Sequence, residues 1–228
     1  MAITTVKSTH ALDEGWILTP ERYHPGRRMS IKQSAQGVVL GDLIDVSSKA
    51  ISAKALEKHP QQVYVLDTGD AIEGRIRGDK ELASSLNSQK KLLQPGDVII
   101  SRLRPYLRQV GFVDRQLVEK FQTDTLFACS TEFYVLRPKK AGDPLAFLVP
   151  YLLSEPIQTI FANAVEGSQH PRFNEDVLLS LLVPETIVEE RDHLSQLVTT
   201  AISSYRVYEH TMQANINMMN RSMNKMLL

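Results

Sequence analysis

The stretch that most constrains this chain is its C-terminal end. After Pro184 neither glycine nor proline occurs, so no residue there breaks a helix. From Leu194, apolar or aromatic residues recur at Val198, Ala201, Tyr205, Tyr208 and Met212, in alternating steps of four and three. Ile216, Met219, Met223 and Met226 resume the alternation after one extra step of four, which makes a heptad stripe with a single stutter. A helix of ~40 residues is ~60 Å long, longer than a domain of this size is wide. So narrow a stripe calls for a partner helix, and a homodimer through this helix is the expectation. The alternative is that the helix folds back over its own domain. Methionines dominate the last turns, and they pack adaptably rather than specifically.

Upstream, the hydrophobic period changes from two to about 3.6, which predicts an α+β domain with a mixed sheet. Val38 to Ile44 reads as a strand or turn, Val63 to Leu66 as a strand closed by Asp67-Thr68-Gly69-Asp70, and Val98 to Ser101 as a strand after the Pro95-Gly96-Asp97 turn. Val110 to Val113 and Phe127 to Leu136 complete a sheet of five or more strands. The polar stretch Ser84 to Ser88 reads as an exposed loop. Leu145, Leu148, Val149, Leu152, Leu153, Ile157, Ile160 and Phe161 have helical spacing, with Pro156 in the first turn of a second piece. The expected division is a domain over 1–184, opened by a polar segment 1–37 that contains Trp16, and a spacer and dimerisation helix over 185–228.

The totals restrict the setting. Cys129 is the lone cysteine, so no intrachain disulfide forms and a reducing, cytoplasmic location is expected. There is no apolar run of membrane-spanning length and no signal-peptide pattern at the start. Net charge is zero, yet its distribution is uneven. From Arg75 to Arg108 eight Lys/Arg face three acids, and from Asp143 to Asp192 nine acids face two arginines. Such polarity suits a basic face on a phosphate backbone, although solvated surface charge explains it equally well.

Two constellations carry potential chemistry. In Ser101-Arg102-Leu103-Arg104-Pro105-Tyr106-Leu107-Arg108, strand alternation places Arg102 and Arg104 on one face beside an aromatic, a combination suited to phosphates and base edges. The competing reading pairs Arg102 or Arg104 with an internal carboxylate such as Glu132. The second is the Gly167-Ser168-Gln169-His170-Pro171-Arg172 loop, with backbone amides and polar side chains beside a helix end. The histidines at 10, 24, 59, 193 and 210 have no ligand spacing relative to His170, and neither a metal nor a cofactor is expected. Phosphate-loop, dinucleotide and nucleophile-elbow motifs are missing, and Cys129 reads as a packed thiol. The chain is therefore expected to bind rather than catalyse.

Taken in order, these segments resemble the specificity subunits of Type I restriction–modification systems. The residues concerned are Val39-Leu40-Gly41-Asp42-Leu43, Gly96-Asp97-Val98-Ile99-Ile100-Ser101-Arg102-Leu103-Arg104-Pro105, Cys129-Ser130-Thr131-Glu132-Phe133 to Arg137-Pro138, the Gly-Ser-x-His-Pro-Arg loop, and Leu181-Leu182-Val183-Pro184 followed by Glu189-Glu190-Arg191. The chain departs from many relatives at Gln169-His170-Pro171, where they have Gly-Gln-Pro, and at Pro184-Glu185, which lacks a second proline. The resemblance implies a non-catalytic domain that reads one half of a split DNA sequence, in a half-length form with one domain and one helix. Its partners would be double-stranded DNA, a DNA adenine methyltransferase subunit and a restriction subunit. Candidate DNA-binding residues are Arg75, Arg77, Lys90, Lys91, Arg102, Arg104, Tyr106, Arg108, Gln169, His170, Arg172 and Asn174. The alternative function is a structural adaptor that assembles such a complex through its helix without reading DNA.

Overall fold

The computed structural model describes residues 36–59, 61–167 and 169–227; expectations for the opening segment up to residue 35, Trp16 among them, lie outside the described residues. The described part of the chain opens with β1 (Gly37–Val39), the helical turn α1 (Leu40–Leu43), β2 (Ile44–Val46) and β3 (Ala50–Ile51). α2 (Ala53–Lys58) follows, capped by the Ser52 hydroxyl, which accepts from the Ala55 amide at 3.2 Å. Next come β4 (Val63–Leu66), the hairpin β5 (Ala71–Ile72) and β6 (Arg75–Ile76), then β7 (Lys90–Leu92), β8 (Val98–Ser101) and β9 (Val110–Phe112). α3 (Arg115–Glu119) precedes β10 (Leu126–Cys129) and β11 (Phe133–Pro138). The last elements are α4 (Leu148–Leu153), α5 (Glu155–Asn163), α6 (Glu175–Leu179), β12 (Leu182–Pro184), α7 (Glu185–Glu189) and α8 (Arg191–Leu227).

A run apolar at successive positions, as in β8, belongs to a strand covered on both faces. The antiparallel sheet β2-β11-β8-β9 is such a wall. Val98, Ile100, Tyr134, Leu136, Val110 and Phe112 point to one side, into a core filled by α4, α5 and α6 and by Phe173, Val183 and Ile202. Ile99, Phe133 and Val135 point to the other, against Tyr64, Leu66, Ile76, Phe127 and Cys129. On that side Gly111 admits Ile76 of the β5–β6 hairpin, whose Cγ1 would lie 2.7 Å from any added Cβ. The second sheet, β3-β7-β10-β4, has one parallel pair, β10 with β4. Its outer face carries a small cluster of Leu56, Val63, Leu86 and Ala128. Burial pushes the Cys129 thiol up to about 12, as expected of a packed thiol.

The fold is α+β with a long C-terminal helix, but the sheet differs from expectation. Phe127 to Leu136 is two strands rather than one, and the described residues form two four-stranded sheets with two two-stranded ribbons rather than one larger sheet. Polar Ser130-Thr131-Glu132 breaks the run: the Ser130 hydroxyl accepts from the Glu132 amide at 3.3 Å, and Phe133 N–H donates back to Ser130 at 3.1 Å. One apolar run thus supplies a strand to each sheet. The ribbon β1–β12 joins the two ends of the domain, pairing Val38 with Val183. From there the chain enters α7 and turns at Glu190 into α8, so the C-terminal helix is broken once near its start.

α8 runs for 37 residues, about 55 Å. Roughly its first five turns lie on the domain. Ile202 joins the main core and Leu194 and Val198 pack beside it, so these two stripe residues are used within the chain. The buried Ser195 hydroxyl accepts from the Phe147 amide at 3.1 Å, and Arg191 reaches Asp143 at 3.3 Å. Arg206 is the main tether: its guanidinium meets Asp114 at 2.7 Å and Glu209 at 2.7 Å, with the arginine and Asp114 side chains each only 10% exposed. Asp114 also caps α3 by accepting from the Leu117 amide at 2.9 Å. No described helix is long and apolar enough to cross a membrane. Arg206→Ala leaves the Asp114 carboxylate buried without its cation; chemical denaturation is expected to show a loss of about 3–5 kcal/mol, with an Arg206→Ala, Asp114→Ala double variant losing less than the two singles together.

Candidate nucleic-acid interface

The site forms where β8 leaves the wall. The Ser101 hydroxyl donates to the Leu103 carbonyl at 3.1 Å and accepts from the Leu103 amide at 3.2 Å, which ends the strand in a tight local turn. The segment 164–174 then lies beside it. Glu166 and Arg172 exchange backbone hydrogen bonds at 2.8 and 2.9 Å, closing a small loop whose tip carries Gly167, Gln169 and His170. Gly167 has φ +88°, a left-handed turn position that glycine takes without strain. Arg104 N–H donates to the Pro171 carbonyl at 2.9 Å, and Phe173 N–H donates to Arg102 at 3.2 Å. Backbone bonds thus dock the Gln169-His170-Pro171-Arg172 loop onto the Arg102–Arg104 segment.

Glu132 locks the two together. Arg172 donates to both of its oxygens, Nε to Oε2 at 2.9 Å and Nη2 to Oε1 at 2.7 Å, while Arg102 Nε adds a bond to Oε2 at 3.0 Å. The Arg172 hydrogen bonds, opposed by burial and aided by Arg102, pull the Glu132 carboxyl down to about 2. Two guanidiniums on one carboxylate leave a net positive charge at the edge. The pairing with Glu132 replaces the alternation expected for Arg102 and Arg104. Arg102 turns to the carboxylate, whereas Arg104 adopts a left-handed backbone at φ 49° and its side chain has no ion pair among the described residues.

Lys91 completes this edge from β7. Its ammonium donates to the Phe133 carbonyl at 2.7 Å and stands 5.5 Å from the Tyr134 ring centre, and burial lowers its pKa. It also lines a polar pocket of about 240 Å³ with Ser47, Gln89, Thr131 and Glu175. Asn174 reaches the Glu166 carboxylate at 3.4 Å, and Tyr106, in the short turn that follows Arg104, is exposed.

The edge therefore gathers Lys91, Arg102, Arg104, Tyr106, Gln169, His170, Arg172 and Asn174. The other four candidates lie apart from it. Arg75 sits over the Tyr205 ring of α8 at 4.9 Å, and Arg77 pairs with Asp79 at 3.0 Å. Arg108 turns inward, donating to the Leu153 carbonyl at 2.6 Å with Glu73 and Glu155 nearby. Lys90 precedes Lys91 on β7 and pairs with Ile51 of the edge strand β3, so alternation sends its side chain to the opposite face. The acidic stretch from Asp143 to Asp192 is not separated from the cations, since its Glu166 and Glu175 stand at the same edge. In the sequence Glu132 stands only as a competing internal partner of Arg102 or Arg104, signalled by its place as the one acid between Cys129 and Phe133, and exposed Leu107 carries no signal of a site role.

The stripe on α8 divides in two. Leu194 and Val198 pack on the domain, Ala201 is exposed on the helix surface, and Tyr205 bonds Glu209 at 3.2 Å. Tyr208, Met212, Ile216, Met219, Met223 and Met226 are exposed, with Met226 at 79%. Glu209, which accepts from the Gly78 amide at 3.4 Å, is the last residue of α8 with a described hydrogen bond to the domain. Met212, Gln213 and Ile216 still line a groove with Arg77, Asp79 and Lys120 of the domain, and beyond Ile216 the helix projects as an arm.

Fold and site together define a small α+β domain with a cation-rich polar edge and a projecting helical arm. Neither a protein-family model nor a curated protein matches the sequence. Among solved structures, the chain is similar to the HsdS subunit from Thermoanaerobacter tengcongensis, with TM-score 0.41 and 16% identity over 82% of this chain and 42% of that one. It is also similar to a chain from a structure on complex assembly and conformational transition of the type I R-M system, with TM-score 0.39 and 17% identity over 84% of this chain and 45% of that one. This chain spans less than half the length of either.

The low carboxyl pKa of Glu132 has a testable sign. A depressed folded-state value adds stability above the ordinary value of 4.5, which is lost as pH falls toward about 2. Urea midpoints of the native chain should exceed those of Glu132→Gln at pH 7, and the gap should close progressively below about pH 4.5. A gap independent of pH would mean that Glu132 acts through packing alone.

Proposed function

We propose that this chain is a non-catalytic, sequence-specific DNA-recognition subunit whose domain reads one half of a bipartite site and whose arm pairs with a second copy. In this reading it carries specificity to a partner DNA adenine methyltransferase within a type I restriction–modification complex, to which a restriction subunit can be added. One observation carries the reading: Arg102, Arg104, Tyr106, His170 and Arg172 meet at one edge, held by Glu132 and a docked loop. A guanidinium fork matches phosphate oxygens and the guanine edge, and a pre-set geometry avoids ordering side chains on binding. Glu132 offsets only part of the local positive charge, so overall neutrality does not oppose a DNA contact here. The exposed stripe from Tyr208 to Met226 supports pairing, because apolar surface repeated along a projecting helix favours burial against another helix.

Selection from a randomised duplex library, followed by anisotropy on the recovered site, tests the reading. Arg104 is the residue to change, since its side chain supports no described ion pair. Arg104→Glu should weaken binding about tenfold or more and reduce the salt slope by about one phosphate contact. Identical affinity and slope would place any bound DNA elsewhere.

The arm is tested separately by light scattering. A chain ending at Gln213 keeps every described hydrogen bond and ion pair between α8 and the domain, yet loses the exposed stripe from Ile216 onward. The expected change is from dimer to monomer with an unchanged melting temperature when extrapolated to low concentration. Equal masses for the two chains would remove the arm from self-assembly.

A further inference from the structure

The β8–β9 connection is built in a way that joining two strands does not require. Arg104 and Arg108 both hold left-handed backbone conformations, at φ 49° and 53°, on either side of the short 3-10 turn Pro105–Leu107. Neither is a glycine, so each is held against its ordinary backbone preference. The turn is fixed at its base. Pro105 is buried, Leu107 N–H donates to the Arg104 carbonyl and Arg108 N–H to Pro105, both at 2.9 Å. The Arg104 amide is held by Pro171 at 2.9 Å, and the Arg108 side chain is held by Leu153 at 2.6 Å. The result is a stiff hook.

What the hook presents is as unusual as how it is held. Tyr106 is 64% exposed and Leu107 is 47% exposed. Elsewhere on the described domain, away from α8, only Val39 and Ile72 are comparable large apolar side chains, and neither is beside another. The strained base therefore carries an aromatic and an aliphatic group into solvent, with the Arg104 guanidinium, which has no ion pair among the described residues, on one flank and the net positive Glu132 cluster behind. On the other flank, Arg108 is engaged by Leu153, Glu73 and Glu155 and does not offer its charge outward.

We infer that the Arg104–Arg108 hook is a wedge, with Tyr106 and Leu107 entering between two stacked base pairs of a bound duplex while Arg104 holds the adjacent phosphate. The inference rests on the DNA reading above and adds a mode of contact to it. Apolar side chains that separate a base step must be stiff, because the unstacking energy is otherwise dissipated in moving the loop. An aromatic face stacks on any base, and a flanking cation neutralises the phosphate brought close by the kink. Charge favours nucleic acid over an apolar protein pocket, since burying the hook in protein would strand the Arg104 cation.

The test uses the full chain and the duplex recovered by selection, with 2-aminopurine placed at one position at a time. Anisotropy reports binding and 2-aminopurine fluorescence reports unstacking. Native protein should raise the fluorescence severalfold at one step of the site. Tyr106→Ala, Leu107→Ala should abolish that rise and weaken binding about tenfold or more, with melting temperature nearly unchanged because both side chains are exposed. A mismatch at the same step, which lowers the cost of opening it, should tighten binding by the native chain. Binding without unstacking at any position would overturn the wedge while leaving DNA recognition standing. An unchanged fluorescence rise in the double variant would do the same and would leave the hook to a protein partner. If no duplex bound at all, DNA recognition would fall and the wedge with it.

Discussion

The structure depends on one constraint: β8 and β11 are apolar on both faces, so the sheet they form must be covered twice. Helices α4, α5 and α6 and the start of α8 cover one side, and the β5–β6 hairpin with the second sheet covers the other. A slip by one residue would exchange the side chains of its two faces, each of which is fitted to a different core. Its ends are therefore fixed points. Everything placed at the end of β8, the Arg102–Glu132–Arg172 cluster, the docked loop and the hook, inherits that rigidity without a separate scaffold.

Much of the fold was legible because it rests on local chemistry. The continuous apolar, β-branched runs at Val63–Leu66 and Val98–Ser101, the first-turn proline of α5 and the lack of helix breakers after Pro184 each fix an element by themselves. The errors have non-local causes. Polar Ser130-Thr131-Glu132 marks a break within Phe127 to Leu136, but which sheet each half joins depends on where β4 and β8 offer unpaired edges. The break at Glu190 likewise follows from the β1–β12 ribbon, which sets the direction of α7 before α8 begins.

The site was legible in its members and not in its arrangement. Sequence reasoning picked Arg102 and Arg172, and raised Glu132 as an internal partner, but could not show that both arginines share that one carboxylate. It expected Arg102 and Arg104 to point the same way, which holds only while the strand continues; the Ser101 hydroxyl ends it too early. Arg75 and Arg77 are close to the other cations in sequence but face α8. Counting basic residues along a chain identifies a region, and only pairing identifies which charges remain available. Here much of the arginine charge is spent internally, so the edge is better suited to placing a few groups accurately than to attracting a polyanion strongly.

The tether of α8 to the domain has a consequence for geometry. The helix carries no glycine or proline and is held through Ile202 and Arg206, so the arm has no joint at which its heading could relax. Each residue added to the arm would advance its tip by about 1.5 Å and turn its apolar stripe by about 100°. A single insertion past Glu209 would swing the stripe to the wrong side of the helix, while seven residues would restore it nearly in place and about 10 Å farther out. Changes in arm length that keep the stripe near its original side are therefore steps of about seven or eleven residues, and any second body seated on the stripe would move relative to the domain in discrete steps.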